Sequence, residues 1–83
     1  MAHYSYTPRG VCSVKIDFDV ENDIVKNIRF TRGCSGNTQG VAALVEGMDA
    51  QEAIRRCKGI KCGPRPTSCP DQLALAIEAA LAQ

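Results

Sequence analysis

Eighty-three residues, 45% of them hydrophobic and with a net charge of +1, make one small globular domain spanning 1–83, with a thin core that a metal or disulfide staple would help. The near-neutral charge and the presence of only two Phe and two Tyr remove both the electrostatic drive and the stacking platform that nucleic-acid binding uses. No apolar run approaches the ~20 residues of a membrane span, and Met1-Ala2-His3-Tyr4-Ser5-Tyr6 is no signal peptide, so a cytoplasmic chain without a membrane partner is expected.

In chain order, His3 to Tyr6 reads as a short first strand, closed by Pro8-Arg9-Gly10. Cys12, Val14, Ile16, Phe18 and Val20 then alternate with Ser13, Lys15, Asp17 and Asp19, the period of a half-buried strand. Parity sets Cys12 and Val14 on the face that other elements cover. Glu21-Asn22-Asp23 is a turn. Ile24, Lys26, Ile28 and Phe30 alternate with Val25, Asn27, Arg29 and Thr31, which predicts a hairpin. Gly33 to Gly36 breaks the pattern. A helix carrying Val41, Leu44, Val45 and Met48 on one stripe follows, ended by Gly47. Asp49-x-x-Glu52 resembles a capping box for a short helix from Ala50 to about Cys57. Ile60 to Thr67 is loop. A last helix starts at Pro70, with Leu73, Ala76, Ile77 and Ala80 on its inner stripe. Strands first and helices after predict an α+β domain: a small antiparallel sheet of two to three strands with three helices on one face.

Five cysteines are an odd count, and cytoplasmic thiols stay reduced, so metal ligation or thiol chemistry is favoured over structural disulfides. Cys12, Cys34, Cys62 and Cys69 lie beside Gly, Pro or Ser, where the backbone turns and sulfurs can converge. Antiparallel pairing brings the start of one strand beside the end of the next, so Cys12 and Cys34 share an end of the sheet. Cys69 is the expected N-cap of the last helix, where a thiolate is favoured. The Gly/Pro loop can fold Cys62 back toward it. Convergence of the four makes a tetrahedral Cys₄ site of the kind zinc prefers, although thiolates also take iron–sulfur clusters and copper(I). No Cys-x-x-Cys pair marks a standard zinc ribbon. The alternative is a redox dithiol.

Cys57 sits in a helical run and reads as a small apolar residue. His3 reads as solvated near the terminus. Arg55, Arg56, Lys58, Lys61 and Arg65 form a basic cluster that could hold phosphate or favour thiolates, with a solvated helix face as the plainer reading. Gly33-Cys34-Ser35-Gly36-Asn37 could cradle an anion, but its glycines suffice to permit the turn that positions Cys34. Ser68-x-x-Asp71 is capping chemistry.

With Val11-Cys12-Ser13, Gly33-Cys34-Ser35-Gly36-Asn37 and Lys58-Gly59-Ile60-Lys61-Cys62-Gly63, the run Thr67-Ser68-Cys69-Pro70-Asp71 resembles the small four-cysteine TSCPD-domain proteins over essentially the whole length. The resemblance implies the same four cysteines and again leaves Cys57 aside. That domain is similar to the C-terminal region of adenosylcobalamin-dependent ribonucleotide reductases. This implies an association with ribonucleotide reduction and DNA synthesis, and a reductase as partner. A ribonucleoside-diphosphate reductase (oxidoreductase) label would come only through the shared domain. The chain has no room for that enzyme's barrel, nucleotide site or cobalamin site, so adenosylcobalamin would reach it only through the partner and catalysis by the chain alone is not expected.

A more distant similarity is to the IscU/NifU-type iron–sulfur scaffold. Cys12, Cys34 and Cys69 fall on the three scaffold cysteines, and Ser68 falls on a ligand histidine that Cys62 could replace. The scaffold's ligand aspartate is missing, because Ser13 follows Cys12. That comparison implies a closed Cys₄ site more than a released cluster, with an iron–sulfur assembly protein as the partner if transfer is the function. The expectation is therefore a zinc or iron–sulfur accessory module, with zinc favoured. The second reading is a thiol–disulfide protein that supplies electrons to a reductase, cycling Cys62 and Cys69.

Overall fold

The computed structural model describes residues 2–11, 14–32, 35–61, 63–64 and 66–82, without side chains at 35–37. These residues form strands β1 (Ala2–Tyr6), β2 (Lys15–Glu21) and β3 (Ile24–Thr31), then helices α1 (Ser35–Val45), α2 (Ala50–Cys57) and α3 (Cys69–Leu81). The sheet is antiparallel in the order β1-β2-β3. The α+β class expected from the sequence is the one observed.

The β2–β3 hairpin closes on a two-residue turn, with Glu21 paired to Ile24. Asn22 and Asp23 have φ of 52° and 65°, the left-handed pair of a type I′ turn whose twist matches the strands. Alternation in β3 does not run through as predicted. The register shifts between Asp17, opposite Arg29, and Asp19, opposite Lys26. Asn27 and Ile28 thus oppose Phe18 alone, which is a β-bulge. Asn27 takes a φ of 54°, a conformation that Asn tolerates better than most residues. The bulge turns both Val25 and Ile28 inward, and both are buried.

Two expectations for β2 are corrected. It begins at Lys15 rather than Cys12, which lies outside the described residues. Val14 is 49% exposed, not on the covered face. Its amide still donates to the Thr31 carbonyl at 2.9 Å, so pairing persists while the inward parity is lost where the strand begins.

Helices cover one face. Ile16 and Phe18 are fully buried beneath Val45 of α1, Ile54 of α2, and Leu73 and Ile77 of α3. Each such aliphatic or aromatic side chain contributes about 1.5–3 kcal/mol on burial. Ala50, Ala53, Ala74, Ala76 and Ala80 complete the core. Their small side chains let the helices and sheet approach closely, at the cost of apolar area. Tyr4 pairs with Phe18 in the ladder and stacks on it, with ring centroids 5.6 Å apart.

α2 begins as predicted, with the Asp49 carboxylate accepting from the Glu52 amide. The turn before it clasps the hairpin. The Gly47 amide donates to the Val25 carbonyl at 2.8 Å, Val25 to Met48 at 2.9 Å, and Ala50 to Asp23 at 2.7 Å. On α1 the predicted stripe is partly right. Val45 is buried and Val41 and Met48 are half-buried, but Leu44 is 78% exposed. It lines an apolar groove of about 290 Å³ with Val41, Met48, Cys57, Ile60 and Pro70. No described helix is long and apolar enough to cross a membrane.

Candidate functional site

α3 is started by Ser68, not by Cys69 as the sequence suggested. Ser68 has extended backbone (φ −150°, ψ 171°), and its Oγ accepts from the Asp71 amide at 3.2 Å. Its carbonyl takes the first helical hydrogen bond, from the Gln72 amide at 2.9 Å. A hydroxyl oxygen accepts from a first-turn amide better than a thiol does, so the serine wins the capping position. Cys69 becomes the first helical residue and is buried.

Cys12, Cys34 and Cys62 lie outside the described residues, as do Gly33 and Arg65. Their described neighbours are nonetheless tied to one another. At the sheet end, the Val14–Thr31 hydrogen bond and the Lys15–Thr31 pairing join the chain leaving Cys12 to the chain approaching Cys34. Tyr6 pairs with Ile16 at the same end, so the turn Pro8-Arg9-Gly10 starts there.

That turn meets the start of α3. The Arg9 amide donates to Gln72 Oε1 at 3.0 Å. Gly10, with φ +73°, packs so closely on Thr67 that a Cβ would sit 3.1 Å from Thr67 Cγ2. The loop before Cys62 is also tied to the start of α3. Ser68 Oγ donates to the Ile60 carbonyl at 2.6 Å, and the Gly59 amide donates to Asp71 Oδ1 at 2.7 Å. Thr67 links the two sets: it donates to Asp71 Oδ2 and accepts from Gln72 Nε2 at 2.9 Å. The residues around Cys69 thus form one polar knot that gathers the approaches to Cys12 and Cys62.

Among the described residues, no group of three His, Cys, Asp or Glu side chains could hold a metal ion; three of the four proposed ligands lie outside that set. Cys57 is buried on the inner side of α2, and burial pushes its thiol up from the ordinary 9.0. A buried neutral thiol packed in the core is the apolar residue its sequence setting suggested.

The basic cluster is largely spent on local pairs. Arg55 and Arg56 both reach Glu52, and Lys58 Nζ lies 3.0 Å from Glu78. Hydrogen bonds from Arg55 and then Arg56 hold the Glu52 carboxyl down at about 2.

His3 is not simply solvated. On the helix-free face its Nδ1 lies 2.7 Å from Asp19 Oδ1, and Nε2 lies 3.5 Å from Asp17 Oδ1. Asn27 Nδ2 donates to Asp19 at 2.8 Å. The Ser5 hydrogen bond is the main cause holding Asp17 below the usual carboxylate range, and Asn27 followed by His3 does the same for Asp19. These contacts strap β1 and β3 to β2.

Sequence reasoning missed Thr67 and Gln72 as organising residues. Ser68 and Asp71 gave a capping signal, whereas Gln72 sits on a helix where nothing local distinguishes it.

A family model described as the TSCPD domain matches residues 1–81. No curated protein matches the chain, and no solved structure does.

Proposed function

Because this chain belongs to the TSCPD-domain family, we propose that it is a thiolate metal-binding module. Cys12, Cys34, Cys62 and Cys69 would hold one zinc ion or iron–sulfur centre at the end of the sheet, as an accessory to ribonucleotide reduction. The observation carrying this reading is the set of ties that draws the approaches of all four cysteines together. They run from Val14 to Thr31, from Arg9 to Gln72, and from Ile60 and Gly59 to Ser68 and Asp71. Four sulfurs suit a tetrahedral zinc, which would cross-link strand ends to α3 and reinforce an alanine-rich core. The same donor set suits an iron–sulfur cluster. Adenosylcobalamin would belong to the partner enzyme.

Elemental analysis with a visible spectrum, on protein purified anaerobically under mild reduction, tests it. One equivalent of zinc in a colourless protein, or iron with visible absorption, is expected. A folded, metal-free protein with titratable thiols would overturn it.

A second reading draws on the Ser68–Ile60 hydrogen bond, which joins the residue before Cys69 to the one two before Cys62. Cys62 and Cys69 would then exchange two electrons and two protons with a reductase disulfide as they cycle between dithiol and disulfide. Oxidation that removes two titratable thiols while the fold persists without metal is its signature.

A further inference from the structure

Gln72 is a buried polar residue whose side-chain amide is fully used. Its orientation follows from its partners. The Arg9 amide can only donate, so the group facing it must be Oε1. Nε2 then faces Thr67 Oγ1, which must accept, and the Thr67 proton is left for Asp71. Asp71 takes a second bond from the Gly59 amide. The result is a one-way chain, Arg9 to Gln72 to Thr67 to Asp71, with Gly59 joining at its end. Ser68 and Asp71 hold only the nearby loop. Gln72 alone among the described residues connects that knot by hydrogen bond to the N-terminal turn, across 63 positions of sequence.

We propose that Gln72 is a positioning residue for the thiolate site, a role that rests on the metal-binding reading. It touches no metal. By fixing Arg9 and Thr67 at once it sets the chain leading to Cys12 at a defined place beside the first turn of α3. Partners hydrogen-bonded directly to metal ligands are worth about 10–100-fold in affinity when lost; Gln72 bonds to Arg9 and Thr67 instead, one step further out, so its loss is expected to cost about three- to tenfold. Gln72→Met removes both hydrogen bonds and keeps an unbranched side chain of similar length, so the packing of α3 is retained.

The test uses the full chain with zinc alone, in competition with a chromophoric chelator, together with amide hydrogen exchange at Arg9. In Gln72→Met the Arg9 amide loses protection and zinc affinity falls about three- to tenfold, less than the loss of a direct partner of a ligand. Thr67→Val, which breaks the same chain at its next link, behaves alike and serves if Gln72→Met does not fold. Asp49→Ala, which weakens the cap of α2 far from the knot, keeps the zinc affinity of the wild type. Unchanged affinity in a folded Gln72→Met or Thr67→Val protein overturns the positioning role alone. So does an equal loss in Asp49→Ala, because loss of stability would then explain the effect. A wild type that takes up no zinc or iron overturns the site itself, and the positioning role with it.

Discussion

Cys57 shows how burial separates a structural thiol from a chemical one. Its sulfur is packed against the core and its ionisation is suppressed. Cys57→Ala should leave metal stoichiometry unchanged in elemental analysis while costing about 1 kcal/mol for the small void it leaves; metal loss in that variant would overturn the ligand set. Glu52 makes a pH prediction. Its folded pKa of about 2 lies below its ordinary 4.5, so the unfolded chain binds more protons between the two. Its contribution is therefore present above pH 4.5 and is lost as pH falls toward 2. The difference in melting temperature between wild type and Glu52→Gln should be constant above pH 4.5 and close below it. Because the Arg55 and Arg56 partners of the half-buried Glu52 are exposed, that difference should also shrink with added salt.

Among the elements, the instructive one is the bulge in β3. A β-branched residue at Asn27 would be forced into left-handed backbone and would lose the hydrogen bond to Asp19. Asn27→Val should cost about 1–3 kcal/mol in urea unfolding; an unchanged midpoint would show that the strand re-registers without the bulge. The bulge also marks the limit of what the sequence discloses. Asp49 announces its helix because capping is local chemistry, and Asn22-Asp23 announces its turn for the same reason; at α3 the Ser68-x-x-Asp71 spacing carries the same signal, but the adjacent Cys69 drew the cap assignment away from Ser68. A bulge depends on what lies across the ladder, so Lys26-Asn27-Ile28 reads as ordinary alternation. Leu44 misled in another way. Helical spacing alone assigned it to the α1 stripe, but the sheet receives only part of that stripe. The cysteines proposed for the site are named by the sequence alone, since Cys12, Cys34 and Cys62 lie outside the described residues. The residues that gather their approaches were not legible in it, because Gln72 meets Arg9 only after the whole chain has folded.

At the scale of the molecule, stability rests on few large side chains. Phe18 is fully buried under the helices and stacked on Tyr4. Phe18→Ala should cost about 3–5 kcal/mol, against a total of about 4–12 kcal/mol for a chain of this size. Far-ultraviolet circular dichroism should find that variant largely unfolded or melting well below wild type; a near-native melt would mean the alanine-rich layers collapse into the space.

The 63-residue span between Arg9 and Gln72 also bears on the order of assembly. The hairpin needs only a two-residue loop and can close within microseconds, whereas contacts between chain ends must wait for the intervening chain to be ordered. We expect the N-terminal turn to dock on α3 late in folding. Cys69, buried at the first turn of α3, would then stay open to solvent until the turn docks. Pulse-labelling of cysteines during refolding should find Cys57 shielded before Cys69, both of which end up buried, and simultaneous protection of the two would refute this order. The thiol at the start of α3 would thus be the last of the two described cysteines to leave solvent, and any ligand of it would have to arrive before the ends of the chain meet.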